Sequence, residues 1–317
     1  MHELEAARHL RRMENVLILT HVRPDGDTVG CAAALCLALR KLGKTAYLLP
    51  NPGVTENTAP YVTPYEAPLD FQPEYVVSVD IATTQLLPEN AAMYAGQIEL
   101  AIDHHPSFEH FGQQNIVRPE AGACGELLYD ILRHLTPIDA DIALPLYVAI
   151  ATDTGGFQFS NTTAYTHIVA AALMETGIDY QTVNKVFFRT KSRKRLALEA
   201  DMLTNLEYFD RERVAFLYVP RSLMERLQAT ESDAEELSSL GAQIQGVDCA
   251  VTFRELGEGE WKLSVRTGER VNATEVCRAM GGGGHARAAG CTVKADLAEV
   301  KRRCLAAIAA NAADFEG

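Results

Sequence analysis

Five aspartates and three histidines stand where apolar runs of this 317-residue sequence stop. LILTHVRPDGD carries His21, Asp25 and Asp27, VVSVD ends on Asp80, IELAIDHH ends on Asp103, His104 and His105, and LYVAIATD ends on Asp153. Carboxylates gathered in one crevice repel one another, and each uncompensated ion costs roughly several kcal/mol to desolvate. Two divalent cations would offset that charge. Oxygen donors with one imidazole per ion suit Mn²⁺, with Mg²⁺, Co²⁺ and Fe²⁺ as competitors, and a site without thiolate has no special preference for zinc. Two ions about 3.5 to 4 Å apart can hold a hydroxide, polarise a phosphoryl group and stabilise the leaving oxygen, which is phosphoester hydrolysis. Taken singly, Asp27 reads as a helix N-cap and His21 equally well as a core histidine. The recurrence at four run ends is what selects a metal site. Gly26, between Asp25 and Asp27, permits a sharp turn that aims the two acids at neighbouring ions. No nucleophile elbow and no Walker A sequence offers a competing chemistry.

Such residues can meet only if strand and helix ends converge. Residues 16–19, 45–49, 75–79 and 98–102 read as short buried strands. Helices are expected over 3–13, 29–42, 124–134, 140–152, 163–176 and 180–188, with Asp27 or Thr28 capping the second. The proline-rich stretch 51–68 reads as a surface connection. Strands alternating with helices predict an α/β fold, an N-terminal doubly wound, mostly parallel sheet whose strand ends share one crevice. The basic run KSRKR opens a long amphipathic helix taken as a linker over 189–210. Beyond it, strands 213–219, 247–255 and 260–267, a helix over 272–280, a strand near 290–294 and a helix over 296–310 predict a smaller C-terminal α+β domain. The expected division is therefore a catalytic metal-binding domain over 1–188, the helical linker, and a substrate-binding domain over 211–317.

Acidic residues outnumber basic ones 42 to 29, and the resulting formal charge of −13 disfavours tracking along nucleic acid. A short anionic substrate in a local pocket remains compatible with it. Seven cysteines without a CxxC pair read as reduced, structural thiols of a cytoplasmic protein. No run of about 18 apolar residues and no apolar signal core points to a membrane or to export. A second chemical signal is GGGGHARAAG. Gly282, Gly283 and Gly284 allow backbone amides to approach an anion closely, and His285 and Arg287 add donors. Arg266, at the end of LSVRT, is a further candidate in the same domain.

HVRPDGD, VVSVD, AIDHH, TDTGGF and GGGGH follow one another along nearly the whole chain, and in that order they resemble the DHH phosphoesterase family. The nearest resemblance is to its nanoRNase/pAp-phosphatase type, with a C-terminal DHH-associated domain. The resemblance implies a two-Mn²⁺ site in which His21 and Asp25 hold one ion, Asp27, His104 and Asp153 hold the other, and Asp80 bridges them. Asp103 would sit in or beside that set and orient a ligand histidine, and His105 would face the scissile phosphate. Arg266 and His285 would grip the phosphate and nucleotide of the substrate, brought to the metals by domain closure through the 189–210 helix. Two departures stand out: Cys31 replaces a small Ser or Ala, and HARAAG replaces a run containing lysine and asparagine.

The expected activity is that of a manganese-dependent phosphodiesterase or phosphatase working by two-metal hydroxide attack. Its expected substrates are RNA or DNA fragments of two to five nucleotides, linear dinucleotides such as pApA, and 3′-phosphoadenosine 5′-phosphate. A cyclic dinucleotide (c-di-AMP) phosphodiesterase is the first alternative. A manganese pyrophosphatase would carry a different basic signature in its companion domain, and a processive exonuclease would carry more domains and a basic groove. A non-catalytic nucleotide-binding regulator would be expected to lose Asp27, Asp80 or Asp153, and all three are present. Short oligonucleotides and small phosphorylated nucleotides are the expected partners, and a homodimer is compatible with the same reading.

Overall fold

The computed structural model describes residues 1–230, 232–234 and 237–312, and the chain divides into two compact units, Met1–Thr190 and Lys191–Gly317. In the first, β1 (Val16–Leu19), β2 (Ala46–Leu48), β3 (Tyr75–Val79), β4 (Ile98–Asp103) and β5 (Gln114–Val117) form one parallel sheet in the order β2-β1-β3-β4-β5. VLIL, YVVSV and IELAID are buried almost throughout, as strands covered on both faces must be. The helices of this unit are α1 (Glu3–Leu10), α2 (Gly26–Lys41), α3 (Ala59–Val62), α4 (Cys124–Leu132), α5 (Ala140–Asp153), α6 (Ala164–Glu175) and α7 (Tyr180–Asn184). One face of the sheet, through Ile18, Val77, Val79, Leu100 and Ile102, joins a core with Leu35 and Leu39 of α2, Leu127 of α4 and Leu146 of α5. The other face, through Leu17, Leu19, Val76 and Ala101, meets Ile81, Ala91 and Phe108 from loops and 3₁₀ turns. Because β1 has β2 on one side and β3 on the other, the β1/β3 pair is the topological switch point, where open α/β sheets bind ligands.

Helix α2 starts earlier than its sequence suggests. Asp25, rather than Asp27 or Thr28, is its N-cap, accepting from the Asp27 and Thr28 N–H groups at 3.1 and 3.2 Å. Gly26 is thus helical, and the reason for glycine there is close packing instead of a sharp turn. A Cβ at Gly26 would lie 2.2 Å from Thr152 Oγ1, and one at Gly30 would lie 2.3 Å from the Pro145 carbonyl oxygen. These contacts press α2 onto α5 and bring Asp27 toward Asp153. Strand β5 was not anticipated, because QNIV has one buried residue, Ile116, and so lacks an apolar run.

The second unit holds β6 (Glu207–Phe209), β7 (Val214–Val219), β8 (Cys249–Gly257), β9 (Glu260–Thr267), β10 (Gly283–His285) and β11 (Ala288–Lys294) in one mixed sheet, ordered β10-β11-β9-β8-β7-β6. Its helices are α8 (Arg193–Thr204), α9 (Arg221–Leu227), α10 (Ala273–Arg278) and α11 (Leu297–Asn311). The stretch 189–210 is not one long helix. A π turn, Lys185–Arg189, precedes α8, and β6 follows it. Leu198 and Met202 of α8 are buried with Ala215, Leu217 and Val219 of β7, so α8 is part of the second unit's own core. The glycine run is part of the sheet: Gly283–His285 pairs antiparallel with Ala288–Gly290 at its edge. All seven cysteines are free and buried, and among the described residues no helix is long and apolar enough to cross a membrane.

Candidate metal centre

The carboxyl ends of β1, β3 and β4, the start of α2 and the end of α5 deliver the titratable residues to the switch point. Two triads result, His21 with Asp25 and Asp80, and Asp27 with His104 and Asp153, and within each the donor atoms lie within 4.8 Å of one another. His21 Nε2 is 3.5 Å from Asp25 Oδ1. His104 Nε2 lies 3.8 Å from Asp27 Oδ2, 3.5 Å from Asp153 Oδ2 and 3.6 Å from Asp80 Oδ1, so Asp80 adjoins both triads. A third grouping, Asp80 with His104 and His105, meets the same distance. It is the weakest donor set, because His105 Nδ1 already donates to Asp103 Oδ1 at 2.7 Å.

Local structure explains how these groups are held in place. Asp80 has a left-handed backbone, φ 58°, a region that costs energy for a residue with a Cβ. Its N–H is pinned to the Ile102 carbonyl at 2.8 Å. Its Oδ1 is buried with no hydrogen-bond partner among the described residues, the condition a cation would relieve. Burial, reinforced by Asp27 and Asp25, pushes the Asp80 carboxyl well above the usual carboxylate range. Burial, with Asp153 and Asp25, does the same to Asp27. Asp153 is pushed up to about 6, chiefly by burial and partly offset by His104.

Asp27 is a cap after all, but of another helix. It accepts from the Cys124 and Gly125 N–H groups at 2.7 and 3.0 Å, at the start of α4, where the residue in the capping position, Ala123, has no side-chain acceptor. His104 places Nδ1 3.1 Å from the Ala121 carbonyl, which leaves Nε2 facing the acids. Asp103 lies outside both triads. Its Oδ1 accepts from the His105 N–H and from His105 Nδ1, each at 2.7 Å, and the side-chain bond raises the imidazole above its ordinary value. The expectation that Asp103 orients a ligand histidine is corrected to this extent: it orients His105, while a backbone carbonyl orients His104.

In the second unit, Arg266 is half-buried at the end of β9, donates to the Val265 carbonyl at 3.1 Å, and is lowered from its usual value by burial. His285 is exposed on β10. Gly283 and Gly284 share that strand, whereas the Gly282 N–H donates to the Cys277 carbonyl at 2.8 Å. Arg287 is exposed, and its Nη1 donates to the Gly268 and Val271 carbonyls. Sequence reasoning missed the α4 N–H groups and Asn161, whose amide reaches Asp153. Asn161 belongs to the TGGFQFSNT loop, and its position eight residues after Asp153 was the only signal available.

Residues 15–150 match the DHH family, N-terminal domain, and residues 212–314 match the DHHA1 domain. The chain is 30% identical over 296 residues to a Thermus thermophilus protein named bifunctional oligoribonuclease and PAP phosphatase NrnA, covering 92% of this chain and 89% of that one. It is 23% identical over 298 residues to the Bacillus subtilis protein of the same name, covering 91% and 92%. Among solved structures, an exopolyphosphatase-related protein from Bacteroides fragilis is similar with a TM-score of 0.85 over 96% of each chain at 21% identity. The exonuclease RecJ bound to manganese is similar with a TM-score of 0.54 over 98% of this chain and 94% of that one at 14% identity. These two likenesses show a shared fold.

Proposed function

Because this chain belongs to the DHH family and carries the DHHA1 domain beside it, we propose that it is a phosphoester hydrolase of very short oligonucleotides, linear dinucleotides and 3′-phosphoadenosine 5′-phosphate, with two Mn²⁺ as cofactor. The observation that carries the reading is the pair of triads at the switch point, adjoining at Asp80, whose buried Oδ1 has no hydrogen-bond partner among the described residues. His21 and Asp25 would hold one ion, Asp27, His104 and Asp153 the other, and Asp80 would serve both. Bound there, two divalent ions supply an activated water and Lewis-acid stabilisation of the phosphoryl oxygens. The names of the relatives support the substrate class, and the manganese-bound RecJ supports the ion.

The chain's own residues have distinct tasks in this reading. Asp103 fixes His105 through Nδ1, so Nε2 is the nitrogen left for the substrate, and the raised imidazole carries its proton to higher pH than a free histidine. A charged N–H donor is thereby offered to an anionic phosphoryl oxygen. Arg266 and His285 would bind the nucleotide portion. The charge of −13 disfavours long polyanions and is consistent with short substrates.

The test is a rate comparison with Mn²⁺ across 3′-phosphoadenosine 5′-phosphate, pApA, RNA of two to five nucleotides and c-di-AMP. Release of mononucleotides from pApA is expected. Stoichiometric binding without product would overturn the enzyme reading, and c-di-AMP as the fastest substrate would reassign its class.

A further inference from the structure

The loop after α5 carries a side chain that the proposed ligand set does not use. Asn161 Nδ2 donates to the Gly122 carbonyl at 2.7 Å and to the Asp153 carbonyl at 3.1 Å, and it lies 3.5 Å from Asp153 Oδ2. The segment it grips, residues 121–125, touches the other two members of the same triad. The Ala121 carbonyl meets His104 Nδ1, and the Cys124 and Gly125 N–H groups meet Asp27. One short segment therefore sets His104 and Asp27 through its backbone and reaches Asp153 through Asn161.

We propose that Asn161 is a positioning residue for the ion of the Asp27, His104 and Asp153 triad, an inference that rests on the metal-centre reading above. Asp153 is the most exposed member of that triad, at 29%, and it is the last residue of α5, where helix carbonyls lack intrahelical partners. The Asn161 amide closes that helix end and ties it to the segment that orients the other two ligands. Removing it leaves the Asp153 carboxylate free to swing away from the other two donors. Hydrogen bonds that orient metal ligands are commonly worth about 10–100-fold in metal affinity. A residue that merely capped α5 would alter melting and leave both ions bound as before.

The experiment is calorimetric titration of the metal-free protein with Mn²⁺, comparing the wild type with Asn161→Ala and with Asn161→Leu, which keeps the bulk and has neither donor nor charge. The wild type is expected to bind two ions. Both variants are expected to keep one ion at wild-type affinity and to bind the other about 10–100-fold more weakly. Wild-type affinity at both ions in either folded variant, the mark of a residue that merely caps α5, would overturn the proposal, as would equal weakening of both ions, the mark of a general disturbance of the fold. Melting of the metal-free variants establishes that they are folded, and Asn161→Leu alone carries the test if the alanine variant is not. A wild type that binds no ion would instead remove the metal centre, and this inference with it.

Discussion

Asp80→Asn is expected to stabilise the metal-free protein while removing its response to metal. Asp80 is 3% exposed and shares a triad with Asp25 in which the donor atoms lie within 4.8 Å. Two ionised carboxylates at that distance repel by about 3.5 kcal/mol at an effective dielectric constant of about 20. The Asp25 side chain is 58% exposed, so solvent screens part of the repulsion, and about 2 kcal/mol is the gain expected on neutralisation. In a unit of this size that corresponds to about 4–8 °C in Tm. The sign with pH follows from the raised carboxyl: the folded chain keeps a proton that the unfolded chain gives up. The penalty is therefore absent below the ordinary carboxylate range, near pH 4, and grows toward neutrality. The variant should melt higher than the wild type in EDTA at pH 7 and no higher at about pH 4. Mn²⁺ should reverse the order, since ligand at a hundred times its Kd stabilises the wild type by about 2.7 kcal/mol and the variant by much less. The assay is thermal unfolding with EDTA or Mn²⁺ at both pH values, with turnover of pApA measured alongside. A variant no more stable than the wild type in EDTA at pH 7 would refute the electrostatic argument, and near-normal turnover would take Asp80 out of the site.

Because Asp153 is pushed up to about 6 and Asp27, in the same triad, also lies well above the usual range, an incoming ion must displace protons, so Mn²⁺ affinity should fall by at least about tenfold per pH unit under 6. Equal affinity at pH 5 and pH 7 would contradict the donor assignment. Gly30→Ala should cost about 1–3 kcal/mol in urea unfolding, because its Cβ would meet a backbone oxygen of α5 at 2.3 Å that no rotamer change can move. Arg266→Ala and His285→Ala should raise KM with kcat near wild type, and unchanged KM in both would remove the second unit from substrate binding. Arg287→Ala, which frees two backbone carbonyls, should lower stability with KM unchanged, as read by unfolding and by kinetics.

The strand-end acids were legible because a buried parallel strand is an uninterrupted apolar run, and the first polar residue after it must lie at the rim where strands converge. Asp80 and Asp103 follow from that rule alone. The rest depended on contacts that sequence separation hides. Asp27 looked like the cap of its own helix, but its acceptor work is done for α4, 97 residues away at Cys124. Ala123, at the α4 capping position, left no mark that another residue supplied the acceptor. The glycine run gave no strand signal because glycine has no side chain to show period two, yet Gly283–His285 forms an edge hairpin with Ala288–Gly290 that turns at Ala286 and Arg287, and Gly284, at φ +145°, holds a conformation in that strand that favours glycine. The 189–210 stretch was read by its charge pattern, which does not register the π turn or the change to β6.

The two buried acids show how different remedies share one site. A carboxylate as enclosed as Asp27, 1% exposed, needs donors or a cation, and the positive end of α4 supplies two N–H groups. Those donors do not suffice to keep it ionised, since its carboxyl still lies well above the usual range. The helix end therefore sets where Asp27 points before metal arrives and leaves its charge to be balanced by the ion. Asp80 has less support: its Oδ1 has no hydrogen-bond donor among the described residues, its backbone is left-handed, and Asp27 and Asp25 both repel it. The energy that metal would recover is thus concentrated at Asp80, where fold and ion are most directly opposed, and this is why neutralising Asp80 should separate stability from metal response more sharply than neutralising Asp27.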